Sequence, residues 1–554
     1  MLSLILSDGK QQKVKEESTL LKIVDTYATS FGSPIVEGIY NGEGWDLQRP
    51  LVADGTVDFV EMNTEEGMRI YVRTLLFLFL VAAKRLYPFV DIEVRNTLGS
   101  AIYCIDKSEK RLNADDLKKI EAEMHKMVEN KEKIILRRFT KQEAMKNMSV
   151  SSEDCVALLK ALDDNSMISV YYLCEAEGYF FGHMCPDVSY VPNFELIKYD
   201  DEGVVINYPD IGNWKVLPPF KDLPGLNEAF REAETWAEMI KCNTVGRLNQ
   251  IIDLGYANKI IQVAEALHEK KIAAIADEIA SKKDVLKLIL IAGPSSSGKT
   301  SFAQRLSIQL AVNGIFPIPI SMDDYYLNRA DTPCKPDGSY DFETVEAIDL
   351  KLFNNHLFRL LKGETVKLPK YNFRSGMREY RGREIKLNEG NVLIVEGIHG
   401  LNERLTLMIP AINKMKIYVS ALTPMSFDEY TRIQTTDMRL LRRIVRDSQF
   451  RSLDATETLE IWDDVRYGEE QYIFPYQNSA DVVFNTTLIY EFAVLKKYVQ
   501  PRLEAVTMDK KKSYFSACRL LRLLAHVKEI SDDVIPNNSI LREFIGGSVF
   551  KDAL

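Results

Sequence analysis

The sequence predicts an α/β chain whose largest unit is a parallel sheet with helices on both faces, preceded by a small sheet domain and an α+β domain. Two observations predict it. Beyond about residue 284, short apolar strand-like runs alternate with stretches long enough for helical crossovers, the pattern of a parallel sheet. One of these runs, LILIA, opens directly onto Gly293-Pro294-Ser295-Ser296-Ser297-Gly298-Lys299-Thr300, which is followed by the helical stretch SFAQRLSIQL.

The first sixty or so residues alternate apolar and polar in runs broken by turn residues (LSLIL, SPIVEGIYNGEGWDL, GTVDFVEM), which predicts a small sheet with one helix near Leu20 to Ser30. From about Ile70 to Leu217, helical stretches such as Asp115 to Lys131 mix with the aromatic strand-like SVYYLCEAEGYFFGHM, as in an α+β domain. Gly225 to Ser281 is helical, with Ile260, Ile261, Ala264 and Leu267 at helical spacing, and the polar SKKDVLK closes it. Strands are then expected at Leu288 to Ala292, Pro317 to Ser321, Val392 to Val395, Lys416 to Val419 and Asp481 to Asn485. Helical periodicity returns after about Pro501. The expected divisions are therefore 1–62, 63–224, 225–283, 284–500 and 501–554.

Composition narrows the function classes. A chain of 554 residues, 46% hydrophobic and 27% charged, is globular material for roughly three to four domains. A formal charge of -10 argues against a protein that coats nucleic acid or an anionic membrane, although a local basic face would be compatible with it. The seven cysteines include no CxxC pair, which fits reduced thiols. The most apolar run, Thr74 to Ala83, is about half the length a bilayer requires and is closed by Arg73 and Lys84, so a buried helix is expected. No secretory signal is read at the amino terminus, and a cytoplasmic location is expected.

The glycine-rich loop carries the most specific chemistry. In a GxxxxGK[ST] loop, backbone N–H groups converge on phosphate oxygens and the following helix adds its positive end. Lys299 supplies charge to the β and γ phosphates, and Thr300 offers a hydroxyl to Mg²⁺, with Ser301 continuing the nucleotide-binding stretch. The next strand ends in Asp323, Asp324, Tyr325 and Tyr326, where a carboxylate could take the proton of an attacking hydroxyl or hold the metal through water. NVLIVEG ends in Glu396, a second acid placed to serve the metal. Arg439, Arg442, Arg443 and Arg446 fall at i, i+3, i+4 and i+7 and share one helix face, suited to neutralising a transferring phosphoryl group. The flanking Asp437 and Asp447 are expected to pair with them.

GPSSSGKT, MDDYY, YDFETVEAID, LPKYNF, VLIVEGI and DMRLLRRIVRD, in this order, resemble the uridine kinase and phosphoribulokinase family, and uridine-cytidine kinases in particular, over somewhat more than a third of the chain. The resemblance implies a P-loop kinase sheet, with Asp323 as general base on a ribose 5′-hydroxyl and Tyr325, Tyr371 and Phe373 lining the nucleoside pocket. It also implies that Arg439 reaches substrate and that the arginine helix closes as a lid. The ribose-binding acid falls on Glu343, with Asp341 competing. Gly376 stands where the family carries a base-contacting histidine, which leaves the base open, and His399 is a further candidate for reading the substrate.

Residues 1 to about 62 resemble a β-grasp TGS domain, and the stretch containing IYVRTLLFLFLVAAKRLYP resembles the second, editing-type domain of threonyl-tRNA synthetase. That domain carries HxxxH, but Arg73 and Phe77 occupy the two positions here, and His183 and Cys185 only echo the remaining ligands. No zinc is expected. The resemblances together imply an ATP-dependent nucleoside kinase using ATP and Mg²⁺, acting on a small-molecule nucleoside, away from membranes and as a homo-oligomer. The alternative is an RNA- or ligand-responsive regulatory P-loop ATPase that uses the synthetase-like half for binding.

Overall fold

Alternate residues of the strand Leu288–Ala292 are buried on opposite faces of one sheet: Leu288 and Leu290 join one core, Ile289 and Ile291 another. A computed structural model describes residues 1–27, 31–99, 101–147, 153–335, 338–372 and 375–550. In it this strand is the centre of a five-stranded sheet in the order Phe316–Ser321, Asn391–Glu396, Leu288–Ala292, Lys414–Ser420, Val482–Asn485. All four pairings are parallel, with Ile289 opposite both Ile394 and Met415. Every strand expected from sequence is present to within a residue or two at each end. The carboxyl ends of the three strands Leu288–Ala292, Phe316–Ser321 and Asn391–Glu396 deliver the glycine-rich loop, Asp323 and Glu396 to one edge, where open parallel sheets place their ligands.

Helix Lys299–Val312 leaves the loop with Phe302, Leu306 and Leu310 on its buried face. Helices Leu350–Leu361, Thr435–Phe450 and Glu491–Glu504 also cover the sheet. The last of these runs through residue 500 with Pro501 in its final turns, so the break expected at 500/501 lies inside a helix. Val499 and Leu503 hold that turn in the core, which offsets the hydrogen bond Pro501 cannot donate. Beyond it come helix Lys511–Leu524 and the single turn Arg542–Ile545.

The amino-terminal sheet is mixed, in the order Gln11–Val14, Leu2–Leu6, Gly55–Glu61, Ile35–Tyr40, Glu43–Trp45, with Leu2–Leu6 parallel to Gly55–Glu61. Its helix is Leu21–Tyr27; residues 28–30 of the expected stretch lie outside the described residues. Helix Glu65–Leu86 follows, capped by Thr64, whose hydroxyl accepts from Gly67 N at 3.1 Å. Every residue from Thr74 to Ala83 is buried, as a helix apolar on all sides requires. Two antiparallel sheets pack nearby, one of four strands (Glu195–Lys198, Gly203–Asn207, Ala101–Asp106, Ile92–Thr97) and one of three (Ala176–Tyr179, Met167–Leu173, Ile134–Thr140). Helices Pro224–Met239, Val245–Asp253 and Ala257–Ser281 then lead into the parallel sheet. The result is a multi-domain α/β architecture in which smaller mixed and antiparallel sheets precede a parallel one. Among the described residues no helix is long and apolar enough to cross a membrane.

Candidate active site

The loop between Ala292 and Lys299 can exist only with glycine at two positions. A side chain on Gly293 would sit 1.9 Å from the Val419 carbonyl, and Gly298 has φ +83 with Ile540 2.7 Å from where a Cβ would be. The loop and the first turn of the helix after it present N–H groups to anions, and a carboxylate holds one in each: Ser295 N donates to Glu469 at 3.0 Å, and Ser301 N donates to Glu543 at 3.1 Å. Lys299 Nζ turns back on the loop, donating to the carbonyls of Gly293 (2.9 Å) and Pro294 (3.1 Å). Glu543, from the carboxy-terminal turn, is a contact no sequence motif signals.

Thr300 Oγ1 donates to Glu396 at 3.2 Å, so a hydroxyl and a carboxylate stand together beside Lys299. Burial pushes the Glu396 carboxyl up to about 7, opposed by Lys299 and reinforced by Asp323. Asp323 is likewise raised by desolvation in the cleft, with Lys299 opposing and Asp324 adding to it. Lys299, Asp323 and Glu396 therefore act on one another electrostatically. This set of oxygen donors suits a hard divalent cation such as Mg²⁺. Asp324 is otherwise engaged: its Oδ1 accepts from Tyr371 N at 3.3 Å and pairs with Lys370 at 3.3 Å.

Tyr325 departs from the expectation that it lines the substrate pocket. Its ring is buried at 1% exposure against Phe353 and its hydroxyl meets His356 Nδ1 at 3.1 Å, because a 3-10 turn over Met322–Tyr325 rotates it into the core. Tyr326 instead faces Tyr371, ring centroids 5.6 Å apart, and feels the charges of Asp323 and Glu343. Phe373 lies outside the described residues. Glu343 is pushed up to about 7 by burial, then by the charge of Glu469, with Arg443 opposing and Asp323 adding. Asp341 is held aside, accepting from the Tyr472 hydroxyl at 3.0 Å. His399 is buried near Tyr472, with centroids 6.4 Å apart.

The arginine face is a buried bracket rather than an open lid. Arg439 donates to Ser295 O at 2.9 Å and pairs with Glu469. Arg442 is fully buried and pairs with Glu491 at 2.5 Å while donating to Thr486 O at 3.0 Å. Arg442 reaches the glycine-rich loop only at the Ser296 carbonyl, 3.4 Å away, because Glu491 and Thr486, from chain far off in sequence, engage the rest of its guanidinium. Arg443 donates to Ser295 Oγ at 2.7 Å and interacts with Glu343, which the i+4 spacing alone could not rank above its neighbours. Arg446 is close enough to act electrostatically on Lys299 and Glu543 and pairs with Asp447 at 3.1 Å; burial pushes its guanidinium down to about 10. Of the flanking acids, Asp447 pairs with Arg443 and Arg446 as expected, whereas Asp437 pairs with Arg519 (2.8 Å) and Arg69 (3.3 Å), both from outside the helix.

In the amino-terminal half, Arg73 donates to the carbonyl of His183, and Phe77 packs on Phe180 with centroids 5.1 Å apart. His183 Nδ1 bonds to Glu37. Cys185 is fully buried, and burial pushes its thiol up to about 12. Among the described residues no group of three His, Cys, Asp or Glu side chains is placed to hold a metal ion.

Residues 288–489 match the model of the Phosphoribulokinase / Uridine kinase family. Threonine–tRNA ligase of Acetivibrio thermocellus is 31% identical over 174 residues, covering 31% of this chain and 27% of that protein. Threonine–tRNA ligase 1 of Bacillus subtilis is 26% identical over 203 residues, covering 36% and 31%. The chain thus spans less than a third of the length of these relatives. Solved structures that match include "Structure of a Possible Uridine Kinase from Bacillus stearothermophilus" (22% identity, 39% of this chain and 98% of that one, TM-score 0.27). "Crystal structure of putative fructose transport system kinase from Silicibacter sp. TM1040 at 1.95 A resolution" also matches (16% identity, 38% and 98%, TM-score 0.27). The carboxy-terminal part of the chain carries a phosphoribulokinase/uridine-kinase-like P-loop domain, and its amino-terminal region shows partial similarity to threonine–tRNA ligases.

Proposed function

We propose that the chain is an ATP-dependent kinase that transfers the γ-phosphate to an alcohol, most consistent with the 5′-hydroxyl of a nucleoside. The observation that carries this reading is the convergence of Lys299, Asp323 and Glu396 at the carboxyl edge of the parallel sheet, beside a loop whose N–H groups already hold carboxylates. In the reaction, the loop N–H groups and Lys299 bind the phosphates in place of Glu543 and the loop carbonyls. Asp323, free where Asp324 is tied, accepts the proton of the attacking hydroxyl. Glu343 orients the acceptor's hydroxyls, and Tyr371 and Tyr326 form an aromatic wall for its body. Arg443 and Arg446 stabilise charge on the moving phosphoryl group, while Arg439 and Arg442 hold the loop in shape. Thr300 and Glu396 would hold Mg²⁺, which supplies charge neutralisation between the β and γ phosphates.

The similarities and the fold together support a division into a TGS-like unit (1–62), a synthetase-like α+β unit (63–224), a helical connector (225–283), the kinase unit and a carboxy-terminal tail, with the kinase unit's last helix running to Glu504. The test is a screen of nucleosides and other small alcohols with ATP and Mg²⁺, reading ADP release. Release that requires a nucleoside supports the kinase reading. Release that requires RNA and no small acceptor would replace it with the regulatory ATPase.

A further inference from the structure

Between the amino-terminal half and the kinase unit lies a cavity of about 470 Å³, within the range of small-molecule sites. Distant parts of the chain wall it: the long helix Glu65–Leu86 with residues 179–183, residues from 94–102 and 162–169 of the two antiparallel sheets and their loops, the segment 430–437 that opens the arginine helix, and helix Lys511–Leu524 with His526. Its charge is unbalanced. Five arginines line it against three carboxylates, Glu37, Glu66 and Asp437. Arg69 and Arg519 are committed to these acids. Arg73 and Arg432 are not: among the described residues neither has a carboxylate within the 4.0 Å of an ion pair, and Arg432 Nη2 is buried without a hydrogen-bond partner. Gly182, with φ +135, leaves room for the Arg73 guanidinium; a side chain there would come within 2.5 Å of it. Glu66 and Glu37 act on Arg73, and Glu234 on Arg432, only from beyond ion-pair distance, so a bound anion would complete the site.

The remaining wall describes the rest of the ligand. Phe180, Phe181 and Tyr430 offer an aromatic lining. Glu37, 2% exposed, spends one carboxylate oxygen on His183 and leaves Oε2 buried without a partner, an acceptor for a ligand hydroxyl. We propose that this cavity is an effector site for a nucleoside monophosphate, with Arg73 and Arg432 on the phosphate, the aromatic wall on the base and Glu37 on a ribose hydroxyl. Occupancy reaches the kinase unit through Asp437, which lines the cavity from the first turn of the arginine helix and is held there by Arg69 and Arg519. The assignment does not depend on which acceptor the kinase uses.

The test is calorimetric titration of the full chain carrying Lys299→Ala, which weakens phosphate binding at the glycine-rich loop, with uridine 5′-monophosphate and adenosine 5′-monophosphate as probes. Besides binding at the kinase unit's own acceptor pocket, which neither cavity variant touches, a second saturable site is expected, weakened at least tenfold by Arg432→Gln and by Val72→Phe, which fills the cavity from a half-buried position. Circular dichroism and Tm checks that both variants are folded; if one is not, the other decides. At this second site, uridine and inorganic phosphate alone are expected to bind at least tenfold more weakly than the monophosphates. Absence of binding, or affinity unchanged in the folded variants, would overturn the site. Inorganic phosphate binding as tightly as the monophosphates would overturn the nucleotide assignment and leave an anion hole. These outcomes are separate from nucleoside-dependent ADP release, which tests the kinase reading.

Discussion

Asp323 and Asp324 are adjacent in sequence and chemically identical, and only their surroundings separate them. Asp324 is tied to Tyr371 N and Lys370, whereas Asp323 stands among Lys299 and Glu396. Asp323→Asn is therefore expected to keep ATP binding and lower kcat by about 10²–10⁴-fold, the usual worth of a positioned base. Steady-state kinetics with a nucleotide-binding assay checks this, and a larger kcat loss in Asp324→Asn would reassign the base. Glu343 makes a pH-dependent prediction. Its carboxyl is raised to about 7, so the acceptor-binding carboxylate is present above that pH and is lost as pH falls through it. KM for the acceptor is expected to rise between pH 8 and pH 6, by up to about tenfold per unit below the pKa. Glu343→Gln should flatten the profile; an unchanged slope would point to Asp341. Glu543 occupies the N–H of Ser301, so a nucleotide bound there would have to displace it. Glu543→Ala is expected to lower KM for ATP about two- to tenfold, the equivalent of ~0.5–1.5 kcal/mol for one hydrogen bond. A raised KM would show that the carboxylate assists binding instead.

At the scale of elements, the strands were legible because parallel strands buried on both faces read as continuous apolar runs, and the glycine-rich loop because its spacing is imposed by backbone geometry. The arginine helix was legible as a face, yet its division of labour was not. Periodicity places Arg439, Arg442, Arg443 and Arg446 together, but which of them meets Glu469, Glu491 or the cleft depends on chain brought in from elsewhere. That division is testable. Arg442→Ala leaves Glu491 buried without its partner and is expected to cost about 3–5 kcal/mol of stability. Arg446→Ala should leave Tm nearly unchanged and lower kcat, since Asp447 keeps Arg443 as a partner. Thermal unfolding beside kinetics distinguishes them, and the reverse pattern would place Arg442 in the catalytic step. Tyr325 shows the same limit: a 3-10 turn after the strand rotates one tyrosine into the core and presents the next, which alternation along a strand does not foretell.

At the scale of the whole molecule, sequence patterning separated a synthetase-like front half from a kinase-like back half, but the cavity and the Asp437–Arg69 pair that join them arise from tertiary packing alone. The front half is expected to bind no stoichiometric zinc, because Arg73 and Phe77 cannot ligate it and the Cys185 thiol is held protonated by burial. Metal analysis of the purified chain checks this; equimolar zinc lost on replacing His183 or Cys185 would contradict it. The proposed activity moves a phosphoryl group from ATP to an alcohol. The most direct measurement is to incubate the protein with ATP, Mg²⁺ and a nucleoside and to identify the phosphorylated product by phosphorus NMR, with Lys299→Ala in parallel. A nucleoside 5′-monophosphate is expected, formed at least about 10²–10³-fold more slowly by the variant. Inorganic phosphate as the product, or equal turnover by a folded Lys299→Ala protein, would contradict it.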